Sequence, residues 1–226
     1  VYSTTALDKQ TITGGLEYYR ESLFSDKFET GVKENKSQWY ATAFLQDDWS
    51  INKQFSVIAG LRCDYHEKYG TNLTPKASVM YKIFPFTVRF NYARGYRSPS
   101  IKELYMNWDH LGMFWIYGNS KLKPETNNYI SLSGEYVNSW ININANVYSN
   151  WFRNKIEGMW SNDQTELHYI NIGKSRLAGV ETMCKIQINR HINVHGAYNY
   201  LYTSKDADGV RLSSSSPHSG LSLIHI

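Results

Sequence analysis

The stretch that organises the chain is residues 96–125, YRSPSIKELYMNWDHLGMFWIYGNSKLKPE. It lacks the apolar alternation that flanks it, and it holds two prolines, two glycines and six aromatic residues. Ser100 fits the N-cap of a short helix over 100–106. Irregular connections of this length are usually functional or disordered, and disordered segments are poor in aromatics. The stretch therefore predicts an ordered functional loop; the alternative is a long crossover packed on a soluble core.

The composition leaves several function classes open and argues against one. The 226 residues allow one large all-β domain or two small ones. No apolar run approaches the roughly 18 residues of a membrane-spanning helix, whereas a membrane β-strand needs only about 9–11 residues, every second one apolar. The net charge of +4 comes without a Lys/Arg cluster, which argues against nucleic acid as a partner.

Alternation of apolar and polar residues predicts ten strands. In chain order they are residues 10–21, 38–49, 55–66, 75–81, 86–93 and 128–136, a segment from 141, residues 169–187 and 192–203, and a segment after Pro217. One face of each strand is apolar, with aromatic residues near its ends. The other face carries Asn, Gln, Thr, Arg and Asp, which suits a wet barrel interior. A soluble β-sandwich would show the same two faces.

The connections between these strands favour a membrane barrel over a sandwich. Long connections (22–37, 67–74, 95–127, 157–167 and 204–216) alternate with short ones. Outer-membrane barrels sort their loops in this way, with tight turns on the periplasmic side. The sequence therefore predicts an all-β fold, namely a transmembrane antiparallel up-and-down β-barrel, here a partial barrel of about ten strands. Cys63 and Cys184 fall on the apolar faces and are predicted to be free, lipid-facing thiols.

Four short motifs, taken in chain order, resemble those of a known family. They are YRSP at 96–99 with IKELY at 101–105, GNSKLKPE at 118–125, YINIG at 169–173 with GVE at 179–181, and PH at 217–218. Together they are similar to the barrel motifs of the TonB-dependent receptors of Gram-negative outer membranes. Ser120 stands where that family usually has proline.

The resemblance implies a barrel of about 22 strands that is closed by a plug and imports a scarce nutrient with energy from TonB. Residues 1–226 would then be a fragment of the β-barrel domain that lacks the plug domain and the closing strands. The implied partners are the TonB complex (through the missing plug), outer-membrane lipid and a small iron-containing ligand. The protein would be a transporter without an intrinsic cofactor, and not an enzyme.

The resemblance also suggests haem as the transported ligand. A histidine between the two central motifs is an axial iron ligand in haem receptors, and His110 holds that position. Imidazole suits iron, and Trp108, Phe114 and Trp115 could cover a flat porphyrin. Tyr105 is a second possible iron ligand, as a phenolate.

Other ligands and classes stay open at this point. A ferric siderophore, bound through aromatic and basic residues, would use the same loop, and cobalamin is a further alternative. The predicted ligand-binding residues are Tyr96, Arg97, Tyr105, Trp108, His110, Trp115 and His66, although His66 could simply line the barrel and the loop rings could pack on one another. A soluble β-rich binding module and a ten-stranded outer-membrane protease remain alternatives. The protease would need clustered Asp and His, such as Asp64 with His66 or Asp109 with His110.

Overall fold

The computed structural model describes residues 1–204 and 216–225. They contain one short helix, α1 (Ile101–Tyr105). The strands are β1 (Tyr2–Ala6), β2 (Gln10–Ser25), β3 (Glu34–Ser50), β4 (Phe55–His66), β5 (Gly70–Ile83), β6 (Phe86–Arg97), β7 (Asn107–Asp109), β8 (Trp115–Tyr117), β9 (Glu125–Val137), β10 (Ile141–Trp160), β11 (Glu166–Gln187), β12 (Asn193–Thr203) and β13 (His218–His225). Within the described residues, no helix has the length and apolar character needed to cross a membrane.

The strands form a single 13-stranded sheet with up-and-down order. Its path runs β1-β2-β3-β4-β5-β6-β9-β10-β11-β12-β13, so that chain neighbours are also sheet neighbours except where the long loop intervenes. Each pair along this path is antiparallel. Strand β7 pairs with β8, which joins β11 in parallel. The predicted fold class is confirmed.

All ten predicted strands are present, as β2–β6 and β9–β13. Strand β1 was not predicted. The expectation that residues 96–125 contain no strand was wrong, because β7 and β8 lie inside that stretch. Each has only three residues, which is too short for a period of two to be visible in the sequence.

Several connections between strands are shorter than the sequence predicted. Strands β4 and β5 are joined by residues 67–69 alone, and β10 and β11 by residues 161–165. The reason is strand length: β10 has 20 residues and β11 has 22, whereas about 9–11 residues cross a bilayer. The outer halves of these hairpins therefore extend beyond the membrane as paired strands. The predicted connection 204–216 lies largely outside the described residues.

The register keeps the two faces of the sheet separate. On the outward face, Leu16 is opposite Ala43 and Leu132 is opposite Val147, and these large apolar side chains are exposed, as lipid contact requires. Cys63 is opposite Leu73 on this face, and Cys184 is opposite Ile143. Both cysteines are free, as predicted.

The polar face is the interior, because the connection 98–124 packs on it. The side-chain amide of Gln38 donates to the carbonyl of Pro99 across this face. A small apolar core forms where the loop meets the sheet, from Leu104, Leu122 and Ile156. The large exposed apolar side chains of the strands lie on the outward face instead. The polar groups that a ligand could contact therefore lie on the inner wall of the barrel and on the loop.

Candidate ligand-binding site

The loop begins with a well-capped helix. The Oγ of Ser100 accepts a hydrogen bond from the backbone N–H of Glu103, and the Glu103 carboxylate accepts one from the N–H of Ser100 at 2.8 Å. These reciprocal bonds form a capping box, and they confirm Ser100 as the N-cap. Ile101 and Leu104 are buried beneath the helix. The helix is therefore fixed to the inner wall.

Arg97 joins the two ends of the loop. Its Nη1 donates to both carboxylate oxygens of Glu103 at 3.0 Å, and its Nη2 donates to Glu125 at 3.2 Å. Glu125 also accepts from the backbone N–H of Ile156. Arg97 was predicted to bind ligand, and the structure shows its charge already compensated by two carboxylates.

The turn 67–69 holds the far part of the loop. The Nζ of Lys68 donates to the carbonyl of Ser120 at 3.1 Å, and the hydroxyl of Tyr69 donates to the carbonyl of Leu122 at 3.2 Å. Burial raises the pKa of Tyr69 to about 12, so this phenol remains a donor at any physiological pH. The loop is thus tied to the barrel wall at both ends and at Ser120 and Leu122.

Strand β11 holds the loop from the other side. The side-chain amide of Asn119 donates to the carbonyl of Tyr169, and Asn171 both accepts from the N–H of Lys123 and donates to its carbonyl. Gly118 lies against the end of α1, where an added Cβ would come within 2.8 Å of the backbone nitrogen of Tyr105. A glycine is required there because two backbone segments touch.

A polar cavity of about 470 Å³ lies between this loop and the inner wall. Strands β2, β3 and β4 and the start of the loop form its walls. Its lining includes Tyr19, Tyr40, Arg62, His66, Tyr96 and Ser100. Three of the predicted ligand-binding residues, His66, Tyr96 and Arg97, therefore line one cavity.

His66 and Tyr96 each present an unsatisfied polar atom. The His66 side chain is 1% exposed, and its Nδ1 accepts a hydrogen bond from the N–H of Lys68 at 3.1 Å. The neutral ring therefore carries its proton on Nε2. Among the described residues, that Nε2 and the hydroxyl oxygen of Tyr96 are buried without a hydrogen-bond partner. Such donors are costly unless they are satisfied, so the cavity is suited to a ligand with acceptor oxygens.

Aromatic rings form a row beside these donors. The register places Tyr19 opposite Tyr40 and Tyr40 opposite His66. Ring centroids are 5.0 Å apart for Tyr19 and Tyr40, 6.3 Å for Tyr40 and His66, and 4.9 Å for His66 and Tyr69. These separations are normal for interacting rings. The row gives the cavity a wall on which a planar group could stack.

Arg62 lines the cavity and, like Arg97, is already paired with two carboxylates. Its Nε donates to Asp64 at 2.9 Å, its Nη1 contacts Glu17 at 3.1 Å, and its Nη2 donates to the hydroxyl of Thr42. The Arg62 side chain is still 41% exposed. It can therefore contact a ligand in a cavity whose lining also includes the carboxylates of Glu21 and Asp64.

The remaining predicted residues belong to other clusters. His110 stacks on Phe114 at 4.8 Å and meets the edge of Trp108 at 5.0 Å, while Lys27 lies 4.1 Å above the Trp108 ring. The Nδ1 of His110 is buried without a partner among the described residues. Trp108 and Phe114 thus pack on the histidine itself.

Trp115 and Tyr105 lie apart from that cluster. Trp115 stacks on Tyr117, which stacks on His168 at 4.7 Å. Tyr105 lines a separate cavity of about 280 Å³ with Phe28 and Lys36. The three rings that were expected to cover one porphyrin therefore belong to two stacks. No group of three or more His, Cys, Asp or Glu side chains in the described ranges is arranged to hold a metal ion.

Sequence reasoning missed Tyr19, Tyr40 and Arg62 as lining residues. The alternation of polar and apolar residues could have identified Arg62, because Arg62 and His66 share the inward face of β4. What could not be read was the register that brings Tyr19 and Tyr40 beside His66. Tyr96, near the end of β6, lines the same cavity although β5 lies between β4 and β6, and alternation alone does not predict this.

Comparison with known proteins gives consistent matches. A family model described as the β-barrel of TonB-dependent receptor-like proteins matches residues 3–221. The iron-regulated outer membrane virulence protein of Vibrio cholerae is 25% identical over 218 residues, which cover 88% of this chain and 33% of that protein. The vitamin B12 transporter of the same species is 30% identical over 177 residues, covering 77% of this chain and 26% of that protein.

A solved structure gives the same architecture. In a crystal structure of a mutant ferric enterobactin receptor from Pseudomonas aeruginosa, the matched part has a TM-score of 0.83 at 19% identity. The match covers 99% of this chain and 38% of that one. At this identity the likeness shows the fold alone. The chain spans about a third of the length of the curated relative from Vibrio cholerae, whose matched share is 33%.

Proposed function

The chain belongs to the TonB-dependent receptor β-barrel family and to the outer membrane of a Gram-negative cell, and from this we propose that the whole protein takes up a ferric siderophore. The family consists of receptors and transporters, so the activity sought is binding and import. Residues 1–226 are part of the barrel wall in this proposal. The plug and the segment that contacts TonB belong to the rest of the protein.

The observation that supports a siderophore is the cavity beside His66 and Tyr96. Two buried donors without partners, a row of aromatic rings and an exposed arginine converge there. Ferric siderophores present negatively charged oxygens around iron, and many also present flat aromatic rings. The donors and Arg62 match the oxygens, since hydrogen bonds to charged acceptors are the strong ones. The tyrosine rings match the planar groups.

Haem is the second candidate, and it depends on His110. An axial ligand needs a free nitrogen in the plane of the imidazole ring, and Nδ1 of His110 has no partner among the described residues. That nitrogen is buried, however, and both Trp108 and Phe114 pack against the ring. The Nε2 of His66 and the hydroxyl of Tyr96 are equally buried, so burial does not separate the two candidates. The siderophore is preferred because its donors and rings share one cavity, whereas the rings beside His110 pack on the histidine itself. Cobalamin is a third possibility within the same family.

The experiment is a binding panel on the full-length receptor. A ferric tricatecholate, a ferric hydroxamate, haemin and cyanocobalamin would each be titrated while the intrinsic tryptophan fluorescence is measured. We expect saturable binding of a ferric siderophore, and growth on that siderophore only when TonB is present. Saturable binding of haemin alone, or of cyanocobalamin alone, would replace the siderophore in this proposal.

A further inference from the structure

Four cations crowd the outward face at the loop-bearing end of three strands. They are Arg94 on β6, Arg153 on β10, and Lys174 and Arg176 on β11, all with exposed side chains. The register places Arg94 opposite Asn128, Asn128 opposite Trp151, and Trp151 opposite Arg176. Because neighbouring strands are about 4.8 Å apart, the row from Arg94 to Arg176 is only about 15 Å wide.

Two of these cations directly oppose each other. Arg153 and Lys174 are cross-strand partners, and Arg176 follows two positions later on the same face. Like charges that face each other across a sheet are destabilising. Within residues 1–204 and 216–225, none of the four cations has a salt bridge; the Nε of Arg176 donates to the Ser149 hydroxyl at 2.8 Å. An external anion between them would remove this repulsion.

Three of the four cations, Arg153, Lys174 and Arg176, line a groove, and Arg94 lies outside its lining. Its volume is about 520 Å³, and its lining includes Ile130, Trp151, Arg153, Lys174 and Arg176. The guanidinium of Arg176 lies 5.2 Å above the Trp151 ring, which fixes its direction by a cation–π contact. The groove thus has a cationic upper part and an apolar lower part.

The groove lies at the level where the membrane ends. On β10 the outward residues Ile143, Ala145 and Val147 are apolar, and Trp151 follows as an exposed ring. From Ile141 to Trp151 the strand covers about ten residues, which is the length that crosses the hydrocarbon layer. Aromatic side chains mark the interface in such barrels, so Arg153 and Lys174 are at the height of the lipid headgroups.

We propose that Arg153, Lys174, Arg176 and Trp151 form a docking site for the phosphate groups of a lipid headgroup in the external leaflet, with Arg94 as a further cation on the same face. The cations bind the phosphate oxygens, and the apolar part of the groove contacts the start of an acyl chain. Charge complementarity selects this partner, because phosphate relieves the repulsion between Arg153 and Lys174. The inference rests on the membrane placement proposed above and not on the identity of the transported ligand.

The test uses full-length receptor purified in a neutral detergent, with lipopolysaccharide as the probe. The triple variant Arg153→Gln, Lys174→Gln, Arg176→Gln should bind lipopolysaccharide at least about tenfold more weakly than the unmodified receptor. The midpoint of thermal unfolding should rise with lipopolysaccharide for the unmodified receptor and stay constant for the variant. Added salt should weaken binding. The matched control neutralises three exposed cations at the opposite end, with Lys9→Gln, Lys53→Gln and Lys82→Gln, and should behave as unmodified.

Three results would each overturn the proposal. One is unchanged binding in the triple variant, and another is equal binding of chemically dephosphorylated lipopolysaccharide. The third is equal stabilisation by inorganic phosphate alone, which would assign the cations to a free anion. Since lipid binding in detergent does not need the transported ligand, any of these outcomes leaves the siderophore proposal untouched.

Discussion

Arg97, the last residue of β6, is opposite Glu125, the first residue of β9, and its Nη2 donates to the Glu125 carboxylate at 3.2 Å. This ion pair closes the base of the long loop. The same guanidinium also holds Glu103 on α1, so two family motifs that are separate in sequence meet at one side chain. The arginine of the YRSP motif therefore has a structural role in closing the loop, in addition to lining the cavity.

Replacing Arg97 should loosen the loop without unfolding the barrel. Arg97→Gln leaves the side chains of Glu103 and Glu125, which are 15% and 16% exposed, without their cation. We expect a loss of about 1–3 kcal/mol in local stability, measured as faster hydrogen exchange of residues 98–124. Arg190→Gln, an exposed change in the turn at the opposite end, is the control. Equal exchange rates in both variants would contradict the role given to Arg97.

Removing either of the two buried donors should weaken ligand binding without a matching loss of stability. Tyr96→Phe removes an unsatisfied hydroxyl, so the empty receptor should be as stable as before or slightly more stable. His66→Phe removes an unsatisfied N–H but also the Nδ1 that accepts from the N–H of Lys68, so these two effects should largely offset each other. Binding of the ferric siderophore should weaken by roughly tenfold in each variant, or about 1.4 kcal/mol. Tyr92→Phe is the control, because its hydroxyl bonds to Asn128 outside the cavity. Parallel losses of stability and binding would instead mean a structural role.

The sequence predicted which face of a strand each residue occupies, but it did not predict where the strands end or which residues line the cavity. Alternation along β10 identified Ile143 and Val147 as outward, because the period of a strand is fixed by its backbone. Several strands were predicted to be shorter than they are. Beyond the bilayer neither face of a strand must be apolar, so the alternation of apolar and polar residues is lost there. His66 and Tyr96 line one cavity from β4 and β6, two strands that are not neighbours in the sheet, and no short-range pattern in the sequence predicts this.

Tyr69 should make the loop sensitive to alkaline pH. Burial raises its pKa from 10.0 to about 12, so ionisation is harder in the folded state than in the unfolded chain. The stabilising bond to the Leu122 carbonyl is then fully present below pH of about 10 and lost as pH rises through about 12. Proteolysis of residues 98–124 should accelerate across that range. In Tyr69→Phe the loop should already be more susceptible at pH 8, without the additional rise; an unchanged pH profile in this variant would refute the assignment.

The orientation of the barrel can be tested by cysteine labelling. Val32, an exposed residue in the connection between β2 and β3, should face outside, and Lys53, in the turn between β3 and β4, should face the periplasm. A maleimide that cannot cross the membrane should label Val32→Cys in intact cells and Lys53→Cys only after permeabilisation. The unmodified receptor is the control, since Cys63 and Cys184 are free but face lipid. Labelling of both variants in intact cells would contradict the proposed orientation of the barrel.

Substitution of His110 distinguishes most clearly between haem and a ferric siderophore as the transported ligand. It lies in the β7–β8 hairpin between Trp108 and Phe114 and does not line the cavity of His66 and Tyr96. His110→Ala should therefore leave ferric-siderophore binding within about twofold, a change of less than about 0.5 kcal/mol. If haem is the ligand, the same substitution removes an axial nitrogen and should weaken haem binding by at least roughly tenfold, with a shift of the Soret band. Phe114→Leu, which keeps the imidazole but removes its stacking partner, is the matched control. A tenfold loss of siderophore binding in His110→Ala would show that the hairpin, and not the cavity, holds the ligand.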